Sequence, residues 1–376
     1  MRICMISPFG FQAATTRVRA YNLAKNLAPQ GDEVLLLTSG EVSPISPSRD
    51  VKIVSVYRQE KTAPDFLIAM LKKYLTLRRV GKFDLCHIFK SLPWSSLPAL
   101  FVRGKGRLVV DLDDWETGTV IDRGLYFQVP LVSFFERWVP RLCDGVIVVS
   151  EFLKKMCIQN GVDEERILVL PYGCDIENFY PMPKDELLLK KYGLEGKLVV
   201  YTGSMTELNL RILIEAMKLV TREVKDVVLL IVSPERDLLE FRQHLIKLGL
   251  APENFLVLER QPHHKMPRVI SLADVVYVPK RFLPVDEACS PSRLGEYLAS
   301  GKPIVANAVG VVKEQLSDAG LLVYSYNPRE LAEKIMMLLL DKRLAKKLGE
   351  KAREKAISLS WARLAKRLRE FYQKIL

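Results

Sequence analysis

Residues 290–306, SPSRLGEYLASGKPIVA, place a Ser-Pro step, an arginine and a glutamate within seven positions. Ser290 suits a helix N-cap and Pro291 the first helical position. The free N–H groups and positive dipole end of such a start favour a phosphate. Arg293 adds a cation in the first turn, and Glu296, three residues on, lies on nearly the same face. A carboxylate one turn inside a phosphate site is ill suited to the phosphate but accepts well from the paired hydroxyls of a ribose. Lys280 and Arg281, just after the apolar run ADVVYVP, bring positive charge to the same neighbourhood. The same residues also describe a capped surface helix carrying an Arg–Glu pair.

The elements that must position these residues alternate along the chain. RICMIS, EVLLLTS, FDLCHIF, GRLVVDLDD, CDGVIVVS and ILVLPYG read as strands, and a helix over 15–31 starts at a cap on Thr15 or Thr16. The segment 175–196 is rich in Pro, Gly and charge and reads as a linker. The alternation then restarts with KLVVYTGS, DVVLLIVS, NFLVLE, ADVVYVP, GKPIVANA and GLLVYS, and the chain is helical and basic from Pro328. Runs this apolar, separated by helices, predict parallel sheets covered on both faces, one architecture used twice. Ligands in such folds bind beyond the carboxyl ends of the strands.

The 376 residues suit two domains, and 49% hydrophobic with 27% charged residues fits a soluble globular chain. Apolar runs stay short of the roughly 18–20 residues that span a bilayer. The N-terminal MRICMISPFG is a strand rather than a signal peptide, which places the protein in the cytoplasm. The six cysteines form no CxxC pair and read as small buried hydrophobes in a reducing compartment; His263-His264 has no cysteine near it, so no metal site is expected. A net charge of +12 suits an anionic ligand or membrane surface. Nucleic acid is not expected, because the basic residues lack aromatic interleaving. Sparse Asn and Gln beside abundant Lys, Arg and Glu hint at a thermophile.

Taken together, SPSRLGEYLASGKPIVA, AYNLAKNLAPQGDEVLLLT, CDGVIVVSEFLKKM, VLPYGCDIENFYP, VYTGSMTELNLRILIEAM, QPHHKMPRVISLADVVYVP and SWARLAKRLREFY resemble, in order, the landmarks of glycosyltransferase family 4. The resemblance implies an α/β GT-B fold: two doubly wound, Rossmann-like domains facing across a cleft, with a C-terminal helix crossing back. It implies an acceptor domain over 1–180, a donor domain over 181–355 and a returning helix over 356–376. It implies transfer of a sugar, with retention, from a UDP- or GDP-linked donor to a glycan, lipid-linked or small-molecule acceptor, without metal or other cofactor.

The family's E-x7-E motif places its second glutamate on Glu296 and its first on Ala288, so the motif is degenerate here. Glu287 stands next to that position and joins Asp113, at a strand tip where the family has a histidine, and His87 as the catalytic candidates. Gly10, Arg17, Gly203, Ser204, Arg211, Lys280, Arg281, Ser290, Ser292, Arg293, Leu294 and Glu296 are the donor-binding candidates. The family's Arg and Lys after the glycine loop are replaced by Ser204 and by Leu208 or Asn209, so Arg293, Lys280 and Arg281 are expected to supply the charge. Three other readings stay open. One is a metal-dependent transferase using the DLD of 111–113; another is a nucleotide-sugar epimerase or hydrolase; the third is a non-catalytic donor-binding protein. FLIAMLKKYLTLRRVGK, 66–82, reads as a helix with Leu67, Met70, Leu71, Tyr74 and Leu75 on one side and cations on the other. It is either a core-packed helix with a solvated basic face or a peripheral contact with anionic lipid.

Overall fold

The structure, a computed structural model, describes residues 1–40, 50–56, 62–235 and 237–376. The chain divides into two compact units. The first comprises Met1–Gly173, Leu283–Ser292 and Trp361–Leu376, the second Cys174–Phe282 and Arg293–Ser360.

In the first unit seven parallel strands, β1 Arg2–Ile6, β2 Glu33–Thr38, β3 Val51–Ser55, β4 Leu85–Phe89, β5 Arg107–Leu112, β6 Gly145–Val148 and β7 Ile167–Val169, lie in the order β3-β2-β1-β4-β5-β6-β7. In the second, β8 Lys197–Thr202, β9 Val227–Ser233, β10 Phe255–Glu259, β11 Val275–Val278, β12 Ile304–Asn307 and β13 Leu321–Val323 take the order β10-β9-β8-β11-β12-β13, again all parallel. Each order reverses beside its first strand, at β1/β4 and β8/β11, which makes those strand exits the places for a ligand. The apolar runs are explained by helices on both faces. Along β8, Leu198 and Val200 enter one buried cluster and Val199 and Tyr201 the other.

Several expectations need revision. The boundary lies at 173/174 rather than 180/181, because Phe179, Leu194 and neighbours of 175–196 pack into the second core. That segment also contains a helix, Glu186–Tyr192, whose N-cap Asp185 accepts from the Leu188 N–H. The returning helix starts at Trp361, not 356, and buries Trp361, Leu364, Leu368 and Tyr372 in the first core. Residues 280–289, expected as loop, include a short helix, Pro284–Ala288. At 15–20 the backbone forms a wide turn with an i→i+5 bond, Tyr21 N–H to Thr16 O, before α-helix resumes at Tyr21. Neither threonine caps it: Thr15 Oγ1 donates to Asp113 and Thr16 Oγ1 to Phe9 O.

The Ala63–Arg79 helix divides the apolar side expected for it: Met70 and Tyr74 are half-buried, and the leucines beside them are not. It buries Lys73, whose ammonium donates to Pro8 O at 3.1 Å, and exposes Leu67, Leu71 and Leu75. Five cysteines are buried and Cys289 is half-buried; all are free thiols. Among the described residues no helix is long and apolar enough to cross a membrane.

Candidate functional site

The exits of β1, β4 and β5 in the first unit carry a buried charge network. Arg19, in the wide turn, pairs with Asp111 through Nε at 2.8 and 3.0 Å and donates to Leu170 O at 2.8 Å; both side chains are wholly buried. Burial would lower the Arg19 pKa, but Asp111 outweighs it and the group stays firmly charged. His87 sits inside β4. It contacts Tyr372 Oη at 2.5 Å and Asp111 at 3.2 Å and stacks on Phe89. Burial pushes its pKa down. It is fully enclosed, so the expectation that His87 meets substrate at a strand end is not met: it positions Asp111 instead.

Lys90, one residue beyond β4 and at φ 61°, is the centre of a second cluster. Its ammonium lies 2.8 Å from Asp113 and 3.1 Å from Asp114, and also pairs closely with Glu116. Asp113 additionally accepts from Thr15 Oγ1 at 2.7 Å and Tyr172 Oη at 2.9 Å. Burial alone would raise the Asp113 pKa, but Lys90, Thr15 and Arg19 hold it below the usual carboxylate range. The candidate catalytic acid is thus nearly buried and well supplied with donors.

The arrangement fits poorly with the DLD reading. Asp111 is sealed by Arg19 and His87. Asp113, Asp114 and Glu116, close enough together to share an ion, surround the Lys90 ammonium, which an ion would have to displace. Beneath them Glu136 accepts the Glu116 and Thr117 N–H groups at 2.8 and 3.2 Å and so caps the Glu116–Asp122 helix. Burial pushes its carboxyl up to about 7.

Other candidates of this unit have structural partners. At Gly10 a Cβ would stand 2.2 Å from Ser39 O, so the backbone packing by itself requires glycine there. Arg17 is half-buried, and its guanidinium holds the Phe11 and Gln12 carbonyls at 3.3 Å. Ser290 Oγ accepts from the Tyr172 N–H at 3.0 Å, and the helix begins at Ser292 rather than Pro291. Ala288 is wholly buried in the first core, its carbonyl accepting from Ser150 Oγ at 2.8 Å, while Glu287 beside it is exposed. A glutamate at 288 on this backbone would carry its carboxylate into apolar packing.

In the second unit the exits of β8 and β11 gather one group. Arg293 lies over the Tyr201 ring, 4.7 Å from its centroid, and donates to Tyr201 Oη at 2.7 Å. Tyr201 in turn donates to Ser204 O and so pins the loop after β8. Gly203 has φ +109°, and a Cβ there would fall 1.9 Å from an Arg293 terminal nitrogen, so only glycine admits the guanidinium. Burial raises the Tyr201 pKa, opposed chiefly by Arg293 and also by Lys280. The Lys280 N–H donates to Asn307 Oδ1 at 3.1 Å, and half-buried Arg281 follows.

Glu296, one turn into the helix, is 19% exposed and pairs with His263 Nε2 at 3.3 Å. His263 also meets the Phe179 ring edge-on at 5.3 Å. Leu294 is wholly buried in the second core, which removes its side chain from the candidates. Arg211 does not join the group: its guanidinium is bonded to Glu207 at 2.6 Å on the solvent side. Ser292 opens the helix, half-buried.

Sequence reasoning missed Arg19, Lys90, Tyr172, Tyr201 and His263. Arg19 had a signal: it falls on the core-facing stripe with Thr16, Leu23 and Leu27, where a cation needs a buried partner. Lys90 and Tyr201 had none beyond standing at or near a strand exit.

Comparison with known proteins agrees with this fold. Residues 16–178 match the family model described as Glycosyltransferase Family 4 and residues 188–355 that of Glycosyl transferases group 1. A D-inositol 3-phosphate glycosyltransferase of Corynebacterium urealyticum is 26% identical over 246 residues, 61% of this chain and 57% of that one. The match spans 23% to 57% of the length of such curated relatives. Sucrose-phosphate synthase of Thermosynechococcus elongatus superposes with a TM-score of 0.75 at 20% identity, over 100% of this chain and 99% of the other. Anabaena HepE, in complex with UDP and glucose, gives 0.74 at 18% identity over 99% of each chain. Two matched halves, two parallel sheets that share the order 3-2-1-4-5-6, the first with a seventh strand added, and these superpositions lead to one conclusion: the chain belongs to glycosyltransferase family 4 and has the GT-B fold.

Proposed function

We propose that the protein transfers a glycosyl group from a nucleotide diphosphate sugar, UDP- or GDP-linked, to a hydroxyl of a glycan, lipid-linked or small acceptor, with retention and without metal. The observation that carries this reading is the group at the β8/β11 exits. Arg293 is held over Gly203 by Tyr201, Lys280 is close by, and Glu296 is one turn further on the same helix. In this reading Arg293 and Lys280 face the diphosphate, Ser204 and Arg281 border it, and Glu296 accepts from the ribose hydroxyls. His263 holds the Glu296 carboxylate in place. The bond from the anomeric carbon to the β-phosphate oxygen breaks with its electron pair on the phosphate, where the cations stabilise the charge. The acceptor oxygen joins the same face of the sugar and its proton passes to the leaving phosphate.

In the first unit, Lys90 and Asp113 form the polar floor that faces the acceptor, with Asp114 and Glu116 as neighbours, and Glu287 is the exposed acid nearest the family's missing glutamate. The HepE complexes with UDP and with UDP-glucose support a nucleotide-sugar donor. An anionic membrane surface is the proposed partner for the first unit.

A calorimetric screen of UDP- and GDP-sugars tests the reading. Glu296→Ala is expected to lose about ten- to a hundredfold in nucleotide affinity, as for hydrogen bonds to a charged group. Unchanged affinity in that variant removes the site assignment. Product analysis with and without acceptor alcohols, in the presence of EDTA, separates transfer from epimerisation or hydrolysis and tests the need for metal.

A further inference from the structure

The Val129–Leu142 helix of the first unit buries Val132, Glu136, Val139 and Pro140. At 3.6 residues per turn the opposite face carries Leu131, Phe134, Trp138 and Leu142, which are 51%, 56%, 42% and 41% exposed. The preceding turn adds Tyr126 at 68% and Phe127 at 80%. The polar members of this face are the exposed Arg137 and Arg141, the latter stacked 4.6 Å over the Trp138 ring. Between 123 and 142 the sequence has a single acid, Glu136, and it is buried as a helix cap. The segment is therefore aromatic and aliphatic, studded with arginine and without an exposed carboxylate of its own, exposed Asp122 lying just before it. The Ala63–Arg79 helix repeats the composition, with Leu67, Ile68, Leu71 and Leu75 exposed beside Lys72, Arg78 and Arg79.

An apolar stripe this continuous marks an interaction surface. A second copy of the chain is a poor occupant: in a two-fold contact both copies present this same surface, which offers Arg137 and Arg141 no exposed acid of its own to pair with. The composition instead matches a bilayer interface, where Trp and Tyr sit at headgroup level and arginine meets anionic lipid. We propose that residues 126–142 form a docking surface that lies on an anionic lipid bilayer, with Phe127, Leu131, Phe134, Trp138 and Leu142 entering the headgroup–acyl boundary and Arg137 and Arg141 bound to lipid phosphates. The inference deepens the membrane partner of the proposed function by naming the surface, and it rests on exposure and charge rather than on the sugar chemistry.

Flotation of the full chain with phosphatidylcholine vesicles, with and without phosphatidylglycerol, tests it. The chain is expected to float with the anionic vesicles. Trp138 is the most exposed tryptophan, so bromine in the acyl chains is expected to quench it, and Trp138→Tyr to remove that quenching. Arg137→Ser with Arg141→Ser is expected to lower partition onto anionic vesicles about thirty-fold, two surface cations' worth, and to change partition onto neutral vesicles little. Phe127→Ser with Leu131→Ser is expected to lower both. All variants should keep wild-type UDP affinity, which serves as the folding control. Absence of flotation, or flotation indifferent to these variants, overturns the proposal. So does a wild-type dimer in solution that Phe127→Ser with Leu131→Ser dissociates, which would assign the surface to a second copy. A chain that floats but binds no UDP fails the donor reading alone; one that binds UDP but does not float fails this inference alone.

Discussion

Gly203→Ala probes the donor group most directly, because one added methyl reaches both backbone and ligand site. Gly203 has φ +109°, a region closed to most L-residues, and an alanine Cβ would stand 1.9 Å from an Arg293 terminal nitrogen and 2.8 Å from its Cζ. The backbone strain costs roughly 1–3 kcal/mol. The guanidinium must also leave, giving up its 2.7 Å bond to Tyr201 Oη and its place over the ring. Those contacts contribute about 1–3 kcal/mol together, after allowance for partial exposure. The variant is therefore expected to unfold about 2–6 kcal/mol more easily in urea and to bind UDP at least tenfold more weakly. The decisive assay is a double-mutant cycle with Arg293→Ala. Once the guanidinium is gone the added methyl has nothing to displace, so the two losses in UDP affinity should fall well short of additive. Strict additivity, or Gly203→Ala binding UDP as tightly as the wild type, refutes the placement of Arg293 over Gly203 as the phosphate grip.

Further outcomes follow from the buried charges. Lys90→Ala leaves Asp113, Asp114 and Glu116 facing one another and is expected to cost about 3–5 kcal/mol in urea unfolding, partly restored by adding Asp113→Asn. Burial pushes the Glu136 carboxyl up to about 7 in the fold, against about 4.5 for an ordinary glutamate in the unfolded chain. Its folded pKa is raised, so its stabilising share is complete below pH 4.5 and lost as pH rises through 7. Glu136→Gln should flatten the stability profile in that window, read by thermal unfolding. Lys302 is lowered to about 8 by burial, while its ammonium donates to Ser271 O and Ala273 O. For a base lowered in the fold, stability rises between pH 8 and the unfolded value near 10.5, and Lys302→Met should abolish that rise.

The sequence alone was enough for the architecture. Long apolar runs such as KLVVYTGS and CDGVIVVS can only be strands buried on both faces, and their alternation with helices makes the sheets parallel. The SPSRLGEY stretch is legible in part: a helix with Arg293 and Glu296 one turn apart depends on local spacing alone, whereas its start does not, because Ser290 is engaged by the Tyr172 N–H and the helix opens at Ser292. Local spacing does not report what a side chain meets across the sheet. His87 and Asp113 look alike at strand ends, yet one is enclosed behind Tyr372 and the other is held at the exit by Lys90 and Tyr172. Leu67, Leu71 and Leu75 form an apolar stripe that a helical wheel could turn either to the core or to a lipid surface; the fold exposes them and buries Lys73, whose ammonium meets Pro8 O. Gly203 and Arg293, ninety residues apart, acquire a shared purpose only when β8 and β11 become neighbours in the sheet. Periodicity fixes which residues share a face; which face is buried, and which distant charge answers a buried one, is decided by long-range packing, where each buried ion must find its partner.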